Sequence, residues 1–196
     1  MDGFQPTRDG AVVATFAGWE ADLLRILAGQ LVELLRNEMA EPRSADPLEQ
    51  LLDFTGPTSA PEDPVLARFF PTAYIDDEEA AGEFRRFTEG TLRDGKARNA
   101  ALVIDTLEAA GLPPELGEES VTIDVELERD PAMGWMKCLT DMRLALATRL
   151  GVEQDDDAYW ASLPTEDPRH QAYQMYGWLG FLQETLVEAV ANSGNK

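Results

Sequence analysis

Long stretches of this sequence repeat apolar side chains at three- and four-residue steps, and that period commits most of the chain to helix. The first such stretch runs from about Trp19 to Glu38, with Leu23, Ile26, Leu27, Leu31, Leu34 and Leu35 on one stripe. Another runs from about Gly90 to Ala110 and buries Leu92, Ala100, Val103, Ile104 and Leu107, with Gly111-Leu112-Pro113-Pro114 ending it. A third opens at Asp130-Pro131, read as an N-cap and first-turn proline, carries Trp135, Leu139, Met142, Leu146 and Leu150, and stops at Gly151. The last runs from about Arg169 to Asn192 on Tyr176, Leu179, Leu182, Leu186 and Val190. Shorter helices are predicted over residues 64–74, ended by Pro71, and from the acidic run Asp76–Glu79 to about Thr88, where carboxylates suit the N-terminal dipole.

Two places follow a different period. Val121, Ile123, Val125 and Leu127 alternate with Thr122, Asp124, Glu126 and Glu128, the pattern of a strand with one wet face. Residues 3–16 read as a hairpin turning on Asp9-Gly10, with Pro6 keeping its arm at a sheet edge. The fold class is therefore mainly α with a small antiparallel β-sheet (α+β): a helical bundle packed on a short hairpin plus one strand. Between residues 40 and 64, prolines 42, 47, 57, 61 and 64 punctuate the chain. One short helix on Leu48, Leu51, Leu52 and Phe54 fits there, N-capped by Asp46, followed by a mobile loop over about 55–63. The part before that loop is too small to hold its own core, so residues 1–196 read as one domain with a frayed tail at 193–196. Residues 152–168 read as loop, and no internal repeat is present.

Composition removes several classes of function. The chain has 196 residues, 44% of them hydrophobic, enough for one sizeable core. No apolar run reaches spanning length, and the N-terminus lacks a basic start before an apolar stretch, so a cytoplasmic protein is expected. The lone cysteine, Cys138, allows no intrachain disulfide and no thiolate metal site. Thirty-seven acidic against 16 basic residues give a net charge of −21, which repels phosphate and works against unaided DNA binding. An acidic surface is ordinarily just a solvated one, and a basic protein partner is the sharper alternative.

No catalytic set stands out. The only histidine, His170, sits in a polar helix start, and there is no nucleophile elbow, phosphate-cradling loop or dinucleotide fingerprint. The runs Asp76–Glu79 and Asp155–Asp157 lack the alternating ligands and central glycine of a calcium loop. Cys138 falls near the apolar stripe of its helix, where core packing is favoured over redox chemistry. No cofactor or metal is expected. The most distinctive local feature is basic: Arg85, Arg86, Arg93, Lys96 and Arg98 outnumber Glu89 and Asp94. With so many carboxylates competing, internal ion pairing is favoured, and a docking face for a partner is the alternative. Arg143 lies on the Trp135 helix, and Trp178 and Phe181 lie off the main stripe of the last helix. Packing on two sides is the ordinary explanation for them; a partner-binding or dimer surface is the sharper one. The partner-contact candidates are thus Arg85, Arg86, Arg93, Lys96, Arg98, Arg143 and Trp178.

The succession DPVLARFFPTAYIDDEEAAGEFRRFTEGTLRDGKARNAALVIDTL, MKCLTDMRLALATRLGV and YGWLGFLQETLVEAV resembles the AosR-like family of actinobacterial proteins. The resemblance extends from the hairpin to Val190 and is most specific in EFRRFTEGTLRDGKARNA, DMRLALATRLGV and WLGFLQETL. It implies a redox-responsive transcriptional regulator that acts with an alternative sigma factor on a cysteine-biosynthesis pathway using a sulfur-carrier protein. The family's described switch uses a cysteine pair. This chain departs there, because Cys138 stands alone. The expectation is a non-catalytic regulator working by protein contact. The alternatives are an enzyme of sulfur-carrier or cysteine metabolism using carboxylates such as Asp105, Glu108 or Asp141, and a regulator binding DNA alone.

Overall fold

The computed structural model describes residues 3–37, 57–117, 120–153 and 156–193. Among them lie six helices and one three-stranded antiparallel sheet, so the protein is mainly α with a small β-sheet, as the periodicities predict. The sheet is built from β1 (Gln5–Pro6), β2 (Val12–Ala17) and β3 (Thr122–Leu127), in that spatial order. Val12 faces Leu127 and Phe16 faces Ile123 across the β2–β3 ladder. Pro6, which has no N–H to give a ladder, sits on the edge strand.

The hairpin exists, but its connection is longer than a two-residue Asp9-Gly10 turn. Pro6 pairs with Val12, leaving Thr7–Ala11 between the strands. Thr7 closes that loop: its backbone N–H and its hydroxyl both donate to the Ala11 carbonyl at 2.9 Å. Gly10 has a positive φ, 94°, which glycine adopts without steric cost.

The inner sheet face is anchored by three rings. Phe4 meets Phe16 edge-on at 5.9 Å and Trp135 at 5.8 Å, while Phe16 stacks on Trp135 at 6.2 Å. Each such pair adds about 0.5–1.5 kcal/mol beyond its buried area. The Trp135 indole N–H then reaches the Thr106 hydroxyl at 3.3 Å, tying the sheet to two helices.

Helix α1 (Gly18–Asn37) starts where the Glu20 carboxylate accepts from the Ala17 N–H at 2.8 Å. Its buried line is Ala21, Leu24, Ala28, Leu31 and Leu35; Leu23 is only half-buried and Ile26 faces solvent. The expected stripe was thus rotated from the real one, because two alanines belong to the packed face and let the neighbouring helix come close. Helix α2 (Pro64–Phe69) is N-capped by Asp63, which accepts from the Val65 and Leu66 amides at 2.7 and 3.3 Å. Pro71 prevents it from continuing.

Helix α3 runs unbroken from Glu78 to Ala109, where the sequence suggested two helices meeting near Thr88–Gly90. Helix α4 (Arg129–Leu150) has Glu128, not Asp130, at its cap position, without a side-chain cap bond, and ends at Gly151 with φ 74°. The stretch expected as loop after it holds a short helix, α5 (Asp157–Ala161). Asp156 organises that turn by accepting from the Glu153 N–H at 2.9 Å and the Trp160 indole N–H at 2.7 Å. Helix α6 (Pro168–Ser193) buries Leu179, Leu182, Leu186 and Ala189. Helix α3 packs between α1 and α4, and α6 covers the other side of α4. The helix expected at residues 47–54 lies outside the described residues. Among the described residues no helix is long and apolar enough to cross a membrane.

Candidate interaction surface

The basic segment of the sequence splits by helical geometry. Arg85, Glu89 and Arg93 are spaced four apart, so they share one face of α3, and that face is turned inward. Glu89 is 1% exposed and each arginine 6%. The Arg85 Nη1 donates to Glu89 Oε2 at 2.8 Å and to the Phe70 carbonyl at 3.0 Å. Arg93 donates from Nε to Glu89 Oε1 at 2.8 Å and from Nη1 to the Leu35 carbonyl at 3.1 Å, with its guanidinium 4.8 Å from the Phe70 ring centre. The two carbonyls belong to the C-terminal ends of α1 and α2. One carboxylate therefore holds two cations that satisfy the ends of two other helices. The same staple spans Gly90, which explains why α3 does not break there.

Lys96 is also engaged: its ammonium bonds Asp141 of α4 at 2.5 Å and lies 4.7 Å from the Phe69 ring centre. Burial pushes the Asp141 carboxyl above its ordinary value, and Lys96 opposes that shift. Cys138, one turn earlier, is buried; burial first, and the Asp141 charge second, push its thiol up to about 12. At neutral pH this is a thiol and not a thiolate, and it behaves as a small apolar side chain.

Of the basic segment, Arg86 and Arg98 remain toward the outside. Arg86 is half-buried over the Phe87 ring, 4.7 Å from its centre, and reaches Glu83 only at 4.0 Å. Its Nε is buried without a hydrogen-bond partner among the described residues. It borders a hollow of about 780 Å³ shared with Tyr74, Ile75 and Glu79. Arg98 is exposed. Arg149, on the last turn of α4, pairs with Asp63 at 2.6 Å. Burial works against the Asp63 carboxylate, but the Arg149 hydrogen bond and the Val65 and Leu66 amides prevail and hold it below the usual range.

Arg143 and Trp178 belong to the α4–α6 seam. The Arg143 guanidinium lies over Gly180, where an added Cβ would stand 3.3 Å from its Cζ. It packs 5.0 Å from the Tyr176 ring centre and donates to Gln183 Oε1 at 2.7 Å. A shallow hollow of about 770 Å³ opens beside it. Trp178 packs half-buried against the core, and its indole N–H has no partner among the described residues. The segments DMRLALATRLGV and WLGFLQETL therefore meet at Arg143, Gly180 and Gln183. Gly180 and Gln183 had not been singled out; the glycine inside an apolar helix was the available signal.

The carboxylates considered for acid–base work fall in two places. Asp105 and Glu108 are exposed on α3, whereas Asp141 is inside and paired. His170 sits at the start of α6 with Gln174 at 3.4 Å. Among the described residues, no three His, Cys, Asp or Glu side chains are grouped to hold a metal.

Over residues 1–190 the sequence matches a family described as a domain of unknown function, DUF2017. The chain belongs to that family. It is 30% identical over 202 residues to a Mycobacterium bovis protein named oxidative stress regulator AosR, covering 95% of this chain and 86% of the relative. The protein of that name from Mycobacterium tuberculosis H37Rv matches with the same identity and coverage. No solved structure matches. The expected resemblance is thereby shown, and the relatives' names support a regulatory role.

Proposed function

We propose that this chain is a cytoplasmic, non-catalytic regulatory protein that works by protein–protein contact in oxidative-stress-linked transcription, with a sigma factor as the partner class. The observation that carries the reading is its match, over 95% of its length, to proteins named for oxidative stress regulation. The side chains support contact over chemistry, since the candidate carboxylates are exposed or paired and burial raises the thiol pKa. They also favour a protein partner over DNA. Arg85 and Arg93 are spent inside, which takes two cations from any basic face that groove binding would need. With a single buried cysteine, an intramolecular disulfide switch has no part in the mechanism of this chain. Arg86, Arg98, Arg143 and Trp178 are the proposed contact residues.

The test is affinity purification of the tagged chain from its native host, with and without oxidant, alongside Arg86→Glu/Arg98→Glu. The reading predicts a transcription protein, a sigma factor foremost, retained by the wild type and depleted with the variant. Retention of no transcription protein under either condition overturns the function. Equal retention by the variant overturns Arg86 and Arg98 as its contacts.

A further inference from the structure

The small sheet ends on an open edge. β3 is bonded to β2 on one side, and β2 separates it from β1. The Gly18 N–H donates to the Val121 carbonyl at 2.7 Å, and the register continues that pairing at Phe16 and Ile123, Ala14 and Val125, and Val12 and Leu127. Bonded and non-bonded pairs alternate along an antiparallel ladder. Ile123, Val125 and Leu127 therefore spend their backbone groups on β2, while Thr122, Asp124 and Glu126 turn theirs the other way. Among the described residues nothing pairs with those outward N–H and C=O groups. All three residues are exposed, whereas Ile123, Val125 and Leu127 are buried. At about 3.3 Å per residue the free edge is roughly 20 Å long.

We infer that this edge takes an extended segment of a partner protein as a fourth strand, with basic and apolar residues alternating along it. The residues that offer the backbone groups also carry the side chains of the wet face. Asp124 and Glu126 stand there two residues apart, and Glu128 follows in the same row, also exposed. Asp124 accepts from the Thr15 hydroxyl at 2.7 Å. The Glu126 and Glu128 carboxylates have no partner among the described residues. An added strand sets alternate side chains directly opposite this row, with Cβ atoms about 4.5–5.5 Å apart. Lysine or arginine at every second position meets the carboxylates. The residues between fall on the side of Ile123, Val125 and Leu127, where apolar side chains extend the core. A second copy fits badly: the antiparallel alignment that uses all three residues sets Asp124 against Asp124, and like charges directly opposite destabilise a sheet. Two bodies of net charge −21 also repel each other. Charged side chains guard many edges against edge-to-edge pairing. Here the guard has one sign, so it bars an acidic edge and admits a basic strand.

This docking is tested apart from the regulatory reading, on the purified full chain with a synthetic probe. The probe is a capped eight-residue peptide alternating lysine and valine, titrated by calorimetry at physiological salt while hydrogen exchange is followed amide by amide. Binding is expected, with exchange slowed at Thr122, Asp124 and Glu126. Methylating either the lysine or the valine backbone nitrogens blocks one edge of the peptide and keeps its charge. One of the two is expected to bind about tenfold more weakly or worse and the other to bind as before, whereas contact through charge alone treats both alike. Asp124→Lys/Glu126→Lys, at two exposed sites and with its fold checked by circular dichroism, is expected to lose the lysine peptide and to take up its glutamate counterpart. The methylated peptides decide the matter without any variant. No binding, equal binding by the two methylated peptides, slowed exchange at other amides only, or self-association that protects the same amides without peptide overturns the docking.

Discussion

Replacing Glu89 by glutamine removes one charge and almost no volume, and it strikes the point where α1, α2 and α3 are joined. The carboxylate accepts from Arg85 Nη1 through one oxygen and from Arg93 Nε through the other, each at 2.8 Å. Glutamine keeps one acceptor and turns an NH₂ group toward a guanidinium that also donates. Two buried cations then face each other without a counter-charge. Removing one partner of a buried ion pair costs about 3–5 kcal/mol. That is a large part of the roughly 5–15 kcal/mol by which a domain is stable. At about 2–4 °C per kcal/mol for a chain of this size, Tm should fall by roughly 6–20 °C. Urea unfolding followed by circular dichroism and tryptophan fluorescence measures the loss directly. The triple replacement Arg85→Met/Glu89→Leu/Arg93→Met removes all three charges. It gives up the bonds to the Phe70 and Leu35 carbonyls, about 0.5–1.5 kcal/mol each, but it escapes the uncompensated charge. It should therefore lie closer to wild type than the single change does. A Glu89→Gln protein within about 1 kcal/mol of wild type, or a triple variant less stable than it, would refute this reasoning.

Four further outcomes follow from particular contacts. Gly90 has open space where a Cβ would go and sits inside a continuous helix, so Gly90→Ala should stabilise by about 0.5–1 kcal/mol. At Gly134 a Cβ would stand 2.5 Å from Leu102 Cδ2, so Gly134→Ala should offset that propensity gain by overpacking α3 against α4; urea midpoints separate the two. The Cys138 thiol, raised to about 12, should resist iodoacetamide at pH 8 except as fast as the protein opens. Because the unfolded thiol ionises first, stability from this group is complete below about pH 9 and is lost as pH rises toward 12; rapid labelling without unfolding contradicts this. Asp63→Ala should cost about 1 kcal/mol at neutral pH through the lost cap. The Asp63 carboxyl is held below its ordinary 3.8, so its contribution is present above that pH and fades as pH falls through the folded value. A cost that stays constant down to pH 2 contradicts it.

The sequence was most readable where period alone decides. The alternation at 121–128 placed Ile123, Val125 and Leu127 on the inner sheet face, where they lie. The α4 and α6 stripes located Trp135, Leu139, Met142, Leu179, Leu182 and Leu186 in the core. It misled where small or charged residues do the packing. Ala21 and Ala28 carry no strong apolar signal, so the α1 stripe leaves them out and takes in Ile26, which is exposed. Gly90 read as a break because the staple that bridges it is made of charged residues, although Arg85, Glu89 and Arg93 at four-residue steps were visible throughout. The favoured internal pairing of the basic segment describes Arg85, Arg93 and Lys96. Arg98 differs from them in its angle around the helix, which depends on knowing that α3 is one piece, whereas Arg86, seven residues before Arg93, shares its angle and differs in what packs over it.

The central claim is that this chain regulates by presenting a surface and not by performing a reaction. It is tested most directly in a native host lacking the gene, complemented with the wild type or with a folded Arg86→Glu/Arg98→Glu variant, by recording transcripts after exposure to oxidant. The account predicts that the wild type restores the oxidant response and the variant does not. Full restoration by the variant, or a response that never depended on the gene, would contradict it.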